Sequence, residues 1–246
     1  MRARKTEHTI FKVSVVAACL IIGSGLVGRM VSAGTYAAPV NSTAQTTSTA
    51  QTMATTATSI VEAIPTQGSV VAIGDSFTYG YPYGPSSAWV GIAGQDLKRD
   101  FINAGKTGQT STDLLARFNN DVVKLKPSAV IITVGTGDAL RNVPLSDYQT
   151  NMQELITQAK LNNIVPVVGL PLAYPDTAAT QLINDYRAWL TAYAPTVGVK
   201  VIDFNQVLYN SAGQFNHNLS NDGRYPDKQG YQAMALAVEQ IFAPAD

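Results

Sequence analysis

From residue 70 onward, short runs of apolar residues alternate with longer stretches in which apolar residues recur at helical spacing. The short runs predict buried β-strands, and the amphipathic stretches predict helices packed against them. The predicted strands cover residues 70–73, 101–103, 129–134, 164–170 and 199–204. The predicted helices cover residues 86–100, 111–125, 146–162, 178–193 and 229–242. This alternation indicates an α/β fold in which helices cover both faces of a parallel sheet.

The first predicted strand stops abruptly at Gly74-Asp75-Ser76. Ligands of open α/β sheets bind at the edge where the carboxyl ends of the strands lie, and the hydroxyl of Ser76 is expected at that edge. Ser76 is therefore a candidate nucleophile. The alternative is an ordinary turn in which Ser76 caps the segment that follows.

The amino terminus has the layout of a secretory signal. Basic residues precede an uncharged run over residues 13–27, and Arg29 and several small residues follow it. We expect residues 1–33 to direct export, either as a cleaved signal peptide or as a membrane anchor through residues 13–28. Cys19 lies in a sequence that resembles a lipoprotein cleavage site, although the apolar run continues beyond it. The protein is thus expected to be secreted or held at the cell surface.

The rest of the chain divides into a linker and one domain. Residues 34–67 are rich in Thr, Ser, Ala and Gln, which predicts a flexible linker, and residues 68–246 predict a single globular domain. Cys19 is the only cysteine, so the domain folds without disulfides or a cysteine metal site. Residues 34–246 carry twelve Lys and Arg and sixteen Asp and Glu. This mildly negative net charge does not indicate a surface that binds nucleic acid. The domain also lacks a dinucleotide-binding glycine motif and a histidine pair, and no cofactor or metal is expected.

Three further loops have unusual content. Residues 103–111 follow the second strand, and their glycines allow backbone N–H groups to turn inward. Residues 135–138, Gly-Thr-Gly-Asp, follow the third strand, and residues 222–231 precede the last helix. With Gly74-Asp75-Ser76, these loops resemble in order and spacing the sequence blocks of the SGNH (GDSL) hydrolases. The resemblance covers residues 70–242.

The resemblance implies both a fold and an activity. The fold would be a flavodoxin-like, three-layer α/β/α sandwich with a five-stranded parallel sheet in the order 2-1-3-4-5. The activity would be that of a serine esterase or lipase, in which Ser76 forms an acyl-serine intermediate, the N–H groups of Ser76 and Gly108 bind the oxyanion, and Asp222 is the triad acid. The substrate would be an ester of a small molecule, a lipid or a cell-envelope glycan, and the domain is expected to be a monomer.

Two positions depart from the family pattern. Gly137 stands where the family has an Asn whose amide completes the oxyanion hole, and losing one such donor typically costs about 10²- to 10³-fold in turnover. Tyr225 stands where the family has the catalytic His, and a phenol with an unperturbed pKa of about 10 is a poor base near neutral pH. His217 is the only histidine outside the export segment and is a candidate replacement base, oriented by Asp222 or Asp227. The alternative is an ordinary surface histidine.

These departures leave two functions open. The first is an exported ester hydrolase, and the second is a catalytically impaired relative that binds a glycan or a cell-wall ligand. Aromatic residues near the nucleophile are candidates for a sugar-stacking platform or for ordinary packing: Tyr79, Tyr81, Tyr83 and Trp89. Arg141 is a candidate ligand for an anionic group, or else a solvated surface residue.

Overall fold

The structure of the protein is a computed structural model that describes residues 61–243. The predicted export segment 1–33, with Cys19, and residues 34–60 of the predicted linker lie outside the described residues. Within residues 61–243, no helix combines the length and the hydropathy that crossing a bilayer requires.

A five-stranded sheet forms the centre of the domain. Its strands are β1 (Val70–Gly74), β2 (Phe101–Gly105), β3 (Ala129–Thr133), β4 (Val165–Gly169) and β5 (Lys200–Ile202). All neighbouring pairs are parallel, and the order is β2-β1-β3-β4-β5. This confirms the α/β class and the strand order that the resemblance implied.

Helices cover both faces of this sheet. They are α1 (Ser76–Tyr79), α2 (Trp89–Asp96), α3 (Ser111–Asp121), α4 (Thr136–Leu140), α5 (Leu145–Leu161), α6 (Thr177–Thr196), α7 (Asn205–Leu208) and α8 (Lys228–Phe242). Alternate residues of each strand point to opposite faces. Val71 and Ile73 therefore pack with the helices α3, α5 and α6, whereas Val70 and Ala72 pack with α2 and α8.

Two predicted helices are shorter than their apolar patterns suggested. Residues 85–87 form a 3₁₀ turn, so α2 begins at Trp89 rather than at residue 86. At the end of α3, Val122 leaves the helical conformation with φ −126°, and residues 123–125 form another 3₁₀ turn. Periodicity could not reveal either break, because 3₁₀ turns keep their apolar residues at similar spacing.

Ser111, the first residue of the predicted helix 111–125, does not cap α3. The capping residue is Thr110, whose side chain accepts a hydrogen bond from the backbone N–H of Asp113. The Asp113 carboxylate accepts in return from the backbone N–H of Thr110, which completes a capping box. Ser111 is the first helical residue instead, and its side chain is free to bind another loop.

Arg99 fixes the segment that leads into β1. Its guanidinium donates to the carbonyls of Pro65 at 2.7 Å, Gln67 at 3.1 Å and Gly68 at 2.7 Å. The last residues of the predicted linker therefore lie against the domain, at the sheet edge where the strands begin. The carboxyl ends of the strands, and Ser76 with them, lie at the opposite edge.

Candidate active site

The turn from β1 into α1 presents Ser76 at the carboxyl edge of the sheet. Asp75 caps α1, and its carboxylate accepts a hydrogen bond from the backbone N–H of Phe77 at 3.0 Å. Ser76 is the first residue of the helix, so its own N–H has no acceptor within the helix. The half-buried Ser76 thus offers a hydroxyl and a backbone donor at the same point.

The loop after β2 brings a second backbone donor to Ser76. The N–H of Gly108 donates to the Ser76 Oγ at 3.1 Å. Gly108 has φ +71°, a left-handed conformation that glycine adopts without steric cost. The structure therefore brings together the predicted nucleophile and the residue predicted to donate to the oxyanion.

A cavity of about 280 Å³ opens beside this hydroxyl. Its walls include Ser76, Gly108, Gly137, Arg141 and Tyr225. Small-molecule sites commonly occupy about 300–1,000 Å³, so this cavity lies at the small end of the range. It suits a group of a few heavy atoms, such as a short acyl group.

Tyr225 reaches this cavity as a neutral phenol. Its ring packs against Phe77, Tyr81 and Tyr174, with centroid separations of 5.3, 4.7 and 5.8 Å. Its hydroxyl interacts with the side chains of Ser76 and Tyr174. Burial among these rings, followed by the interaction with Tyr174, raises the pKa of Tyr225 above its usual value. The phenol can share a hydrogen bond with Ser76, but it supplies no phenolate to remove the serine proton near neutral pH.

Asp222 shapes the loop that carries Tyr225. Its Oδ1 accepts from the backbone N–H groups of Arg224 at 2.8 Å and Tyr225 at 2.9 Å. Desolvation of the carboxyl raises its pKa, but these donors and the Ser220 hydroxyl outweigh that effect, so the pKa is lowered and the group is ionised. Asp222 is therefore adjacent to the residue at the family His position, with its carboxylate engaged by the backbone.

The structure does not bring His217 together with Ser76. His217 is exposed and lines a separate groove of about 1330 Å³, which has Tyr174 in its wall. The contact between Tyr174 and Tyr225 lies between this groove and the Ser76 cavity. Asp227, which was predicted as an alternative to Asp222 for orienting His217, caps α8 by accepting from the backbone N–H groups of Gln229 and Gly230. The role of His217 as a base stays a prediction, and this arrangement does not favour it.

At Gly137 the structure leaves no space for a side chain. A Cβ atom added there would lie 2.3 Å from the carbonyl oxygen of Gln109, which is closer than real contacts allow. The loop after β2 therefore occupies the space from which the family Asn side chain would start. Gly137 lines the cavity but contributes no side-chain donor to it.

Gly137→Ala is expected to destabilise the domain by roughly 1–3 kcal/mol, because the added methyl group must displace the backbone of Gln109. Urea-induced unfolding measures this loss. Gly91→Ala is the matched control, since a Cβ there meets its nearest atom at 3.6 Å and alanine favours the α2 helix. Equal stability of Gly137→Ala and the unmodified protein would contradict the close approach.

A buried carboxylate joins the two loops beside Ser76. Asp138 is fully buried and accepts from the backbone N–H of Ser111 at 3.0 Å and from its hydroxyl at 2.6 Å. Burial raises the pKa of Asp138, and the Ser111 donors oppose that shift. This contact fixes the start of α3 against α4, and thereby the Gly108 and Gly137 loops against each other. The sequence analysis did not predict that Asp138 joins these loops. The only indication in the sequence is that two polar residues, Ser111 and Asp138, lie in segments that follow strand ends.

The aromatic residues that were candidates for a sugar-stacking platform or for ordinary packing differ in exposure. Trp89 is fully buried and packs against Phe204 at a centroid separation of 5.4 Å, so the packing alternative is correct for Trp89. Tyr81 and Tyr83 are 43% and 37% exposed and remain accessible. Tyr174, which follows β4 and contacts Tyr225, was not predicted, although its place after a strand end could have suggested it.

A sequence model of the GDSL-like lipase/acylhydrolase family matches residues 72–233, a stretch that contains every loop around the Ser76 cavity. This chain belongs to that family. In a solved structure of a G-D-S-L family lipolytic protein from Desulfitobacterium hafniense, 38% of the residues are identical and the TM-score is 0.69. The match covers 71% of this chain and 99% of that one.

Two curated relatives are less similar to this chain. The esterase TesA of Pseudomonas aeruginosa is 27% identical over 163 residues, which cover 64% of this chain and 79% of the relative. The lipoprotein YqeF of Bacillus subtilis, described as uncharacterized, is 32% identical over 112 residues, which cover 40% of this chain and 46% of the relative. The chain thus spans about half of the YqeF sequence, and its likeness there is confined to part of the domain.

Proposed function

We propose that this GDSL-family domain is a slow serine ester hydrolase that acts on short acyl or acetyl esters. The observation that carries the proposal is the hydrogen bond from the Gly108 N–H to the Ser76 Oγ, at the wall of a cavity sized for a short acyl group. The family match supports the ester-hydrolase class.

In the proposed reaction, the Ser76 Oγ attacks the ester carbonyl carbon while the N–H groups of Ser76 and Gly108 donate to the carbonyl oxygen as it gains negative charge. The bond to the alcohol then breaks and leaves an acyl-serine, which water hydrolyses to the carboxylic acid. Water takes the serine proton and returns one to the alcohol, since the neutral Tyr225 phenol does not act as the base. Turnover is therefore expected to be far below that of a relative with an intact triad.

The place of action belongs to the same proposal. We propose that the protein is exported and remains at the cell envelope, where it acts on envelope esters. The signal-like pattern of residues 1–33 supports export, and the similar Bacillus subtilis protein YqeF is described as a lipoprotein, which is consistent with export. The residues that carry this pattern lie outside the described part of the chain.

A second function is favoured by Tyr225 and Gly137, which replace a base and an oxyanion donor. In this alternative the domain binds a glycan or a cell-wall ligand without cleaving it. The large groove has the side chains for such a ligand, because amides and aromatic rings line it, among them Asn184, Asn205, Tyr83 and Tyr209. Binding to insoluble xylan or peptidoglycan would then be equal for the unmodified protein and Ser76→Ala.

Labelling with a fluorophosphonate tests the hydrolase proposal, because the probe reacts with nucleophilic serines. We expect slow labelling of the full-length protein at Ser76, located by mass spectrometry, and none of Ser76→Ala. His217→Ala is expected to label at the unmodified rate, since His217 lines the other groove. If the unmodified protein fails to label and a folded Tyr225→His variant labels, the binding function is the correct one.

A further inference from the structure

Arg141 lies between the two loops that line the Ser76 cavity. It follows α4, and its Nη1 donates to the carbonyl of Gly137 at 3.1 Å. Its Nη2 would be 3.8 Å from a Cβ atom added at Gly108. The guanidinium thus spans the two residues at which the family pattern places oxyanion donors, and it forms part of the cavity wall.

Most of the hydrogen-bond donors of Arg141 remain available. A guanidinium has five N–H donors. Among residues 61–243, the side chain of Arg141 donates to one acceptor, the Gly137 carbonyl. No carboxylate of those residues forms an ion pair with it. By contrast, Arg117 binds Asp121 together with several other acceptors, and Arg187 binds Asp203. Arg141 is therefore equipped to bind a group that comes from outside the chain.

The polar groups around Arg141 favour an anion. The Gly108 N–H and the hydroxyls of Ser76 and Tyr225 border the same cavity. The acidic group in its wall is Asp75, and burial raises the pKa of Asp75 to about 7, so that this carboxyl is mostly uncharged in weakly acidic solution. Two further carboxylates lie nearby. Asp113 accepts from Thr110 and also interacts electrostatically with Arg141, and Asp138 accepts from Ser111.

We propose that Arg141 and the Gly108 N–H form a binding site for a small carboxylate in the Ser76 cavity. A carboxylate can accept two parallel hydrogen bonds from the fork of the guanidinium. One of its oxygens can also accept from the Gly108 N–H, in place of the Ser76 Oγ to which that N–H donates in this structure. The small cavity restricts the ligand to a short chain. One source of such a carboxylate, the acid that ester hydrolysis releases, rests on the proposed function, but the binding site itself does not require Ser76 to react.

Titration of the full-length protein with sodium acetate at pH 6 tests this site, with the amide NMR signal of Gly108 as the readout. We expect a saturable shift of that signal. Arg141→Gln should weaken acetate binding about tenfold or more, because it removes a charge-assisted pair of hydrogen bonds, and Arg141→Lys should weaken it less. Lys124→Gln is the matched control, since it removes one positive charge from an exposed residue that precedes β3, at the other edge of the sheet.

Three outcomes would overturn the site: no saturable shift in the unmodified protein, equal binding by Arg141→Gln, or equal weakening by Lys124→Gln. Ser76→Ala separates this proposal from the hydrolase proposal. That variant is expected to keep acetate binding, because the guanidinium and the Gly108 N–H remain. If the unmodified protein neither labels nor hydrolyses esters but binds acetate through Arg141, the carboxylate site stands and the hydrolase function fails.

Discussion

Tyr225→His is expected to raise the rate of hydrolysis of a short ester, such as p-nitrophenyl acetate, by about 10²-fold or more. The side chain at this position already interacts with Ser76, and the ionised Asp222 lies three residues before it in the same loop. An imidazole has an unperturbed pKa of about 6.5 and can take the serine proton, which the phenol cannot do. In subtilisin, another serine hydrolase, removal of the histidine costs about 10⁶-fold in turnover, and we expect a smaller gain here because Gly137 provides no amide donor.

The pH profile identifies the new base. The rate of Tyr225→His should rise as pH increases through an apparent pKa of about 6.5, because only neutral imidazole accepts a proton. Tyr225→Phe is the matched control, since it removes the hydroxyl and adds no base, and its rate should remain near that of the unmodified protein. The double variant Ser76→Ala/Tyr225→His excludes direct attack by the new histidine. Equal rates for Tyr225→His and Tyr225→Phe would show that position 225 does not serve as a base position.

Asp75→Asn is expected to stabilise the domain above pH 7 by up to about 4 kcal/mol. Burial raises the pKa of Asp75 from 3.8 to about 7, which means that the folded protein holds a proton on this carboxyl that the unfolded chain has lost. The contribution of Asp75 to stability is therefore fully present below pH 3.8 and is lost as pH rises to about 7. Asparagine keeps the oxygen that accepts from the Phe77 N–H, and it has no proton to lose.

Urea-induced unfolding of the unmodified protein and Asp75→Asn between pH 4 and pH 8.5 measures this effect. The two free energies of unfolding should converge at the acidic end and separate as pH rises. Asp100→Asn is the control for the loss of one negative charge at an exposed site. This variant should change the pH dependence of the free energy of unfolding little. A constant difference between Asp75→Asn and the unmodified protein across this range would contradict the raised pKa.

The sequence was sufficient to predict the strands of the sheet and the place of Ser76 at its carboxyl edge. Apolar runs such as 70–73 and 129–134 are buried on both faces, and a continuous apolar run is a strong signal for a central parallel strand. The short helices α1, α4 and α7 were missed, because four or five residues show no helical period. Two of them, α1 and α4, carry residues of the Ser76 cavity, so the local shape of the site was less predictable than the fold.

The site itself was predictable as a set of loops but not as a set of contacts. The motif order placed Ser76, Gly108 and Gly137 at one edge of the sheet, and all three line one cavity. The hydrogen bonds that join residues distant in the chain, such as Ser111 to Asp138, leave no periodic trace in the sequence. The same holds for Tyr174, whose contact with Tyr225 lies between the groove of His217 and the cavity of Ser76.

The close approach of the Gln109 carbonyl to Gly137 has a consequence for how this chain can evolve. An exchange of tyrosine for histidine at position 225 needs a single nucleotide change and replaces one ring by another in a space that already holds a ring. An exchange of glycine for asparagine at position 137 would destabilise the domain, because the neighbouring carbonyl must withdraw before the side chain can enter. One departure from the family pattern is thus open to exchange on its own, and the other is held in place by the backbone.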